Sequence, residues 1–207
     1  MMKLGLPMFG EANVYGLWPT MQRTLILALG GTKALGLFAL AVMVENSMNT
    51  VTNSMNSVIY PTMATKWGKG GTVSEVIKLI LKPFGLGIML FALALPLGWY
   101  LLPIFVESFI PNYIEGVGVA QLMLFVGLLG LGNVFSNIYN VIKNQADRLK
   151  VFLSGILVWF FVVSLDYYLS GFSLLIFPKA MIAAYLVMSA YNFFHIRKIW
   201  AFNAETI

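Results

Sequence analysis

Asparagine side chains at helical spacing are the residues of this sequence whose type and position suggest a binding surface. Asn46, Asn49, Asn53 and Asn56 recur every three or four residues in a stretch that is otherwise apolar enough to cross a membrane. At about 100° per residue they fall within an arc of roughly 80° on one helix face. A polar group that faces lipid without a partner costs several kcal/mol. This first asparagine row must therefore face other helices or a water-filled cavity, which favours a transporter-like protein over a simple membrane anchor.

A second row of polar residues follows later in the chain and spans an arc of about 100° by the same arithmetic. It consists of Asn133, Ser136, Asn137, Asn140 and Asn144. Two interpretations are open for these amides. They either hydrogen-bond between helices, at about 0.6–2 kcal/mol per contact, or line a hydrated cavity. For the two rows as a set we favour the cavity, because so many amides are hard to satisfy in a dry interface.

Five ionisable residues fall at membrane depth, where such groups usually pair or line a pathway. They are Glu11, Arg23, Glu45, Asp166 and Lys179. Arg23 and Glu45 can meet across the short link between the first two apolar segments, either as a structural pair or as a substrate or proton site. Asp166 and Lys179 flank another short link and are expected to form an interfacial ion pair.

The composition identifies an integral membrane protein. The chain has 207 residues, of which 59% are hydrophobic and 10% charged, with a mean hydropathy of +0.84, whereas a soluble domain is about one quarter charged. There is no cysteine and a single histidine, His195, and no catalytic sequence motif is present. We therefore expect no enzyme, no metal site and no cofactor. The net charge of +5 lies beside apolar segments, which indicates membrane topology rather than nucleic-acid binding.

Apolar segments of about 20 residues predict an all-α, polytopic bundle of six transmembrane helices in a single domain that spans residues 1–207. The expected spans are 5–29, 36–60, 84–105, 117–142, 150–170 and 173–195. Residues 73–82 place apolar side chains on one face and charges on the other, which predicts an interfacial amphipathic helix before the third span.

Basic residues predict the orientation of these spans. Lysine and arginine are concentrated in 61–82, in 143–150 and at the C-terminal Arg197 and Lys198, whereas 106–116 carries only acidic charges. With six spans, all the basic links fall on one side together with both termini. The positive-inside rule makes that side cytoplasmic.

Several short motifs resemble those of polysaccharide flippases, in the family's order and spacing. Val58–Lys69, with Tyr60-Pro61, resembles the family's signature loop after the eighth span, and Thr20–Arg23 resembles a polar element at the outer end of the seventh span. The other matching segments are Leu4–Pro7, Leu35–Ala41, Ile110–Gly116 and Lys143–Gln145. Gln22 stands where the family often has an aspartate.

The resemblance implies the O-antigen and exopolysaccharide flippase branch of the multidrug/oligosaccharidyl-lipid/polysaccharide exporter superfamily. Such proteins have two six-helix lobes, and this chain would match the C-terminal lobe of that MATE-like fold. A partner lobe of six further helices would come from another chain, or the chain is a fragment. The implied location is the bacterial inner (plasma) membrane, in contact with membrane lipid.

The implied function is export of lipid-linked oligosaccharide or polysaccharide precursors, such as those of lipopolysaccharide, by alternating access. Arg23 would attract the substrate's pyrophosphate, and Glu45 would carry a coupling proton. Sugar hydroxyls would bind the amides of Asn46, Asn49, Asn53, Asn56, Asn133, Asn137 and Asn140. The alternatives are a multidrug/cation antiporter lobe, a membrane-embedded glycosyl- or acyltransferase, and a truncated half that does not transport.

Overall fold

The computed structural model describes the backbone of residues 2–204 and the side chains of residues 9–10 and 13–199. Across these residues the chain is helical, with no β-strand. The α-helices are α1 (Met2–Gly68), α2 (Val73–Phe109), α3 (Val117–Gly130), α4 (Asn137–Val141), α5 (Gln145–Ser170) and α6 (Ile176–Ala204). Two 3₁₀-helices, Pro111–Gly116 and Leu131–Ser136, lie directly before and after α3. The predicted all-α class is confirmed.

Gly31 divides α1 into two arms, residues 2–30 and residues 32–68. Its φ of 74° and ψ of −173° are not helical, and this positive φ is open to glycine at little cost. Tyr15 and Glu45 interact electrostatically, although a straight helix would hold them about 45 Å apart. The second arm therefore folds back along the first.

Four helical segments within the described residues are long and apolar enough to cross a membrane. They are Asn13–Gly68, Val73–Phe109, Pro111–Val141 and Gln145–Ser170. The prediction of a membrane helical protein is confirmed to this extent. Helix α6, which contains most of the predicted span 173–195, falls below the same apolarity, because residues such as Lys179 and Asn192 lower its hydropathy.

The second arm is longer than predicted. Residues 61–68, which the resemblance assigns to a loop, continue the helix through Pro61. The helix ends instead at glycines: Gly70 has a φ of 80°, and the backbone N–H of Gly71 donates to the Lys66 carbonyl at 3.0 Å. Such left-handed glycines commonly terminate helices. The predicted loop is therefore wrong, because the glycines, not the proline, set the end of the helix.

Residues 73–82 form the first part of α2 rather than a separate interfacial helix. The helix begins at a capping box, in which the Glu75 backbone N–H donates to Thr72 Oγ1 at 3.4 Å and the Thr72 N–H donates to Glu75 Oε2 at 3.1 Å. It then continues through Pro83, Pro96 and Pro103 to Phe109. Prolines at these positions leave α2 a single helix that contains the predicted span 84–105.

An aromatic cluster holds both arms of α1 against α5 and α6. Trp18 of the first arm lies 6.3 Å from Trp159 of α5 and 6.2 Å from Tyr185 of α6, measured between ring centroids. Phe177 of α6 lies 6.2 Å from Trp159 and 6.1 Å from Phe38 of the second arm. Edge-on and offset ring pairs of this kind add stability beyond the area they bury.

The opposite side of the bundle packs α3 and α2 against the second arm, and α2 turns a largely apolar face outward. Gly127 of α3 lies so close to the second arm that an added Cβ would meet Met48 Cβ at 2.6 Å. Large exposed apolar side chains of α2 include Leu86, Met89, Leu90, Leu93, Leu97 and Leu101. This outward face has the composition of a lipid-facing surface.

We expect Gly127→Ala to destabilise the protein by about 1–3 kcal/mol, because the added methyl group forces α3 away from the second arm. The matched control is Gly85→Ala on α2, where an added Cβ meets no atom within 4 Å and alanine is the better helix former. Thermal unfolding in detergent should show a lower midpoint for the first variant and an equal or higher one for the second. Equal midpoints for both would contradict the close packing at Gly127.

Candidate functional site

The first asparagine row lies at the border between the buried and exposed faces of the second arm. Asn49 and Asn56 are half-buried, whereas Asn46 and Asn53 are exposed. The exposed face beside them carries mostly hydroxyl residues. Among them are Ser47, Thr50, Ser54 and Ser57. A membrane-length helix thus presents a polar face to the outside of the bundle.

The hydroxyl and amide groups of this face differ in how they are satisfied. Each hydroxyl donates to a backbone carbonyl three or four residues earlier in the same helix, as Ser54 Oγ does to the Thr50 carbonyl at 2.8 Å. The side-chain amides of Asn46, Asn49 and Asn53 make no hydrogen bond to the described part of the chain. Because an amide has two donors and two acceptor sites, these three residues are the groups of the face that require water, a ligand or another helix.

The two asparagine rows meet at one point. Asn137 Nδ2 of α4 donates to Asn56 Oδ1 of the second arm at 2.8 Å, and Asn137 is buried. For these two residues, the amides form a hydrogen bond between helices rather than line a hydrated cavity. It links the two rows and holds the start of α4 against the second arm.

The second row does not form the continuous helix face that the sequence predicted. Leu131–Ser136 is a 3₁₀-helix, which has 3.0 residues per turn instead of 3.6, so the predicted arc of about 100° does not apply. Asn133 and Asn140 are half-buried, and within the described residues neither side chain forms a hydrogen bond. Asn144 lies before α5 and donates to the Asp147 carboxylate at 2.6 Å, so it belongs to the link rather than to a cavity.

Arg23 and Glu45 lie within electrostatic range of each other, but they do not form an ion pair among the described side chains. Arg23 is exposed on the first arm, Glu45 is half-buried on the second arm, and the two charges interact electrostatically. Glu45 is also within electrostatic reach of the hydroxyls of Tyr15 and Tyr185. The neighbouring Gln22 points elsewhere: it is buried and donates to Met181 Sδ at 3.5 Å. The side chain of Glu11 lies outside the described residues.

Ion pairs join residues that lie in or beside the links between the helices. The predicted pair of Asp166 and Lys179 is confirmed, with 3.8 Å between Oδ2 and Nζ. Lys33, beside the Gly31 break, pairs with Glu115 at 2.9 Å, a contact that we did not predict although the opposite charges of the two links suggest it.

The other links pair separately. Lys66 lies 3.3 Å from Glu75, and Asp147 lies 2.7 Å from Lys150 and 3.3 Å from His195. The basic links of the sequence thus have their own acidic partners.

The side chains that the structure describes include no group of three or more histidine, aspartate or glutamate residues placed to bind a metal ion. The polar groups of the candidate site are therefore amides, one guanidinium and one carboxylate. Such a site can bind hydroxyl groups and an anion, and can hold a proton.

We expect Asn137→Ala to cost about 1–2 kcal/mol of stability, because it leaves the half-buried Asn56 amide without its partner. The double variant with Asn56→Ala should cost less than the sum of the two single variants. A double-mutant cycle measured by unfolding in detergent checks this coupling. Strict additivity would show that the hydrogen bond contributes nothing to folding.

Comparisons of the chain with protein-family models, with curated proteins and with solved structures find no match.

Proposed function

We propose that this chain is a transporter lobe that exports lipid-linked oligosaccharide or polysaccharide precursors. The observation that supports the proposal most strongly is the polar outer face of the second arm. Asn46 and Asn53 are exposed there on a membrane-length helix, and their amides have no partner in the described structure. Lipid cannot satisfy such groups, so a hydrated cleft is the environment that suits them.

In this proposal the polar face of the second arm forms one wall of a cleft, and a partner lobe of six further helices forms the other. This lobe would itself cross the membrane six times. The crossings would be the two arms of α1 on either side of Gly31, then α2, α3 with α4, α5, and α6, which packs against α5. Rocking of the two lobes would expose the cleft to each side of the membrane in turn.

The residues of the cleft would have separate roles. Arg23, exposed on the first arm, would bind the pyrophosphate through charge-assisted hydrogen bonds. The amides of Asn46, Asn49 and Asn53 would bind sugar hydroxyls. Asn56 is already bonded to Asn137 and would support the wall of the cleft rather than contact the sugar. Glu45, half-buried beside Arg23, would carry the coupling proton.

Multidrug/cation antiport is the second candidate function, and the surroundings of Glu45 favour it. A half-buried carboxylate within electrostatic reach of Tyr15 and Tyr185 is a site that could bind an organic cation. Arg23 argues against this candidate, because its positive charge lies close to the same carboxylate. A drug-resistance assay run beside a glycan-export assay separates the two.

The exposed amides provide the test of the export function. We expect the double variant Asn46→Ala/Asn53→Ala, in cells that carry the complete transporter, to lower glycan export about fivefold or more, since each lost hydrogen bond costs about 0.5–1.5 kcal/mol. The matched control is Ser47→Ala/Ser54→Ala, which removes hydroxyls that bond to their own helix. Export that survives the asparagine double variant at the control level would exclude this cleft as the sugar site.

Cysteine labelling tests the proposed orientation, with both termini and the basic links in the cytoplasm. The chain has no cysteine, so Lys69→Cys and Asn112→Cys each introduce a single exposed thiol. We expect a membrane-impermeant maleimide to label Asn112→Cys in intact cells and Lys69→Cys only after permeabilisation. Labelling of Lys69→Cys from outside would invert the assignment.

A further inference from the structure

A groove lies between α2, the end of α3 with the 3₁₀ segment that follows it, and α6. Its volume is about 890 Å³, within the range of about 300–1,000 Å³ that is typical of sites for one small ligand. The walls are almost entirely apolar. Residues of the walls include Ile77, Phe84, Ile88, Leu129, Phe135 and Phe193. Because Ile88 and Phe193 are exposed, the groove is open to the apolar surroundings of the bundle.

Asn192 is the unusual residue of this groove. It lines the groove and is only 3% exposed, yet neither its Nδ2 nor its Oδ1 has a hydrogen-bond partner within the described residues. A buried amide without partners costs about 1–3 kcal/mol. An occupant that carries a hydrogen-bonding group at this level would remove that cost.

Positive charge gathers at one end of the groove. Arg197 lines that end, five residues after Asn192 on α6. Lys78 and Lys82 are exposed and directly follow Ile77 and Leu81, which line the groove on α2. An anionic group would therefore be attracted to this end, whereas the rest of the groove suits a hydrocarbon chain.

The spacing of the two polar levels matches a phospholipid. Asn192 and Arg197 lie about 7.5 Å apart along the helix axis, and the polar layer of each bilayer leaflet is about 5–8 Å thick. A phosphate at Arg197 would thus place the ester carbonyl groups, at the inner boundary of that layer, at the level of Asn192.

We propose that the groove binds one anionic phospholipid, with an acyl chain along the apolar walls, an ester carbonyl accepting from Asn192 Nδ2, and the phosphate on Arg197. Each part of the lipid thus has its own contact: the apolar walls for the acyl chain, Asn192 for the ester carbonyl, and the basic end for the phosphate. This site is separate from the asparagine face of the second arm, so it does not depend on the export function.

Native mass spectrometry of the purified, delipidated full chain in detergent micelles provides the test. Dioleoyl-phosphatidylglycerol and dioleoyl-phosphatidylcholine are titrated in parallel. We expect one phosphatidylglycerol per chain to be retained, with about tenfold preference over phosphatidylcholine. R197Q should reduce this preference to about twofold or less, because both lipids carry the phosphate but only phosphatidylglycerol has a net negative charge for the lost cation to attract. The matched control is K198Q, which removes the adjacent exposed cation that does not line the groove.

The variant N192L tests the contribution of the Asn192 amide independently of the Arg197 charge. Without lipid this variant should unfold at a higher temperature than the wild type, since the unpartnered amide is gone. Phosphatidylglycerol should raise its midpoint less than it raises that of the wild type, because the contact with the ester carbonyl is lost. Wild-type binding without preference between the two lipids would overturn the proposal, whether or not the variants fold. So would equal losses for R197Q and K198Q, or a groove that is closed by a second copy of the chain and retains no lipid.

Discussion

The demand that every polar group near lipid must find a partner governs this structure. The helices satisfy their own backbones, and the hydroxyls of the second arm bond back to carbonyls of the same helix. Asn56 is satisfied by Asn137 across an interface. A side-chain amide has two donors and two acceptor sites, so a single hydrogen bond to its own helix does not satisfy it. Asn46, Asn49 and Asn53 make no hydrogen bond within the described residues, and they therefore differ from the hydroxyl groups of the same face.

The all-α class and the presence of membrane-length helices could be predicted from the sequence, because long apolar segments follow from the physics of the bilayer. The Asp166–Lys179 pair and the approach of Arg23 to Glu45 also followed from their positions beside short links. Helix ends were predicted less well. Pro61 suggested a loop, but a proline costs a helix only one hydrogen bond and some steric strain, whereas Gly70 ends the helix with a left-handed backbone.

The second asparagine row shows why spacing alone misplaces side chains. The predicted arc assumed 3.6 residues per turn, but the 3₁₀ segment Leu131–Ser136 winds more tightly and turns Asn133 away from the direction that an α-helix would give it. No motif marks the beginning of this segment. Asn192 was missed for a related reason: it belongs to no row of polar residues, and only the packing of the helices leaves its buried amide without a partner among the described residues.

The break at Gly31 bears on how the chain enters the membrane. The first arm carries Arg23 and two prolines and would partition poorly into lipid by itself, because a charged side chain within a span is costly unless it is paired. The second arm follows with almost no link, and its Glu45 offers the opposite charge to Arg23. Insertion of the two arms together, as a helical hairpin, would bring Arg23 within electrostatic range of Glu45 and so lower the cost of placing the arginine in lipid.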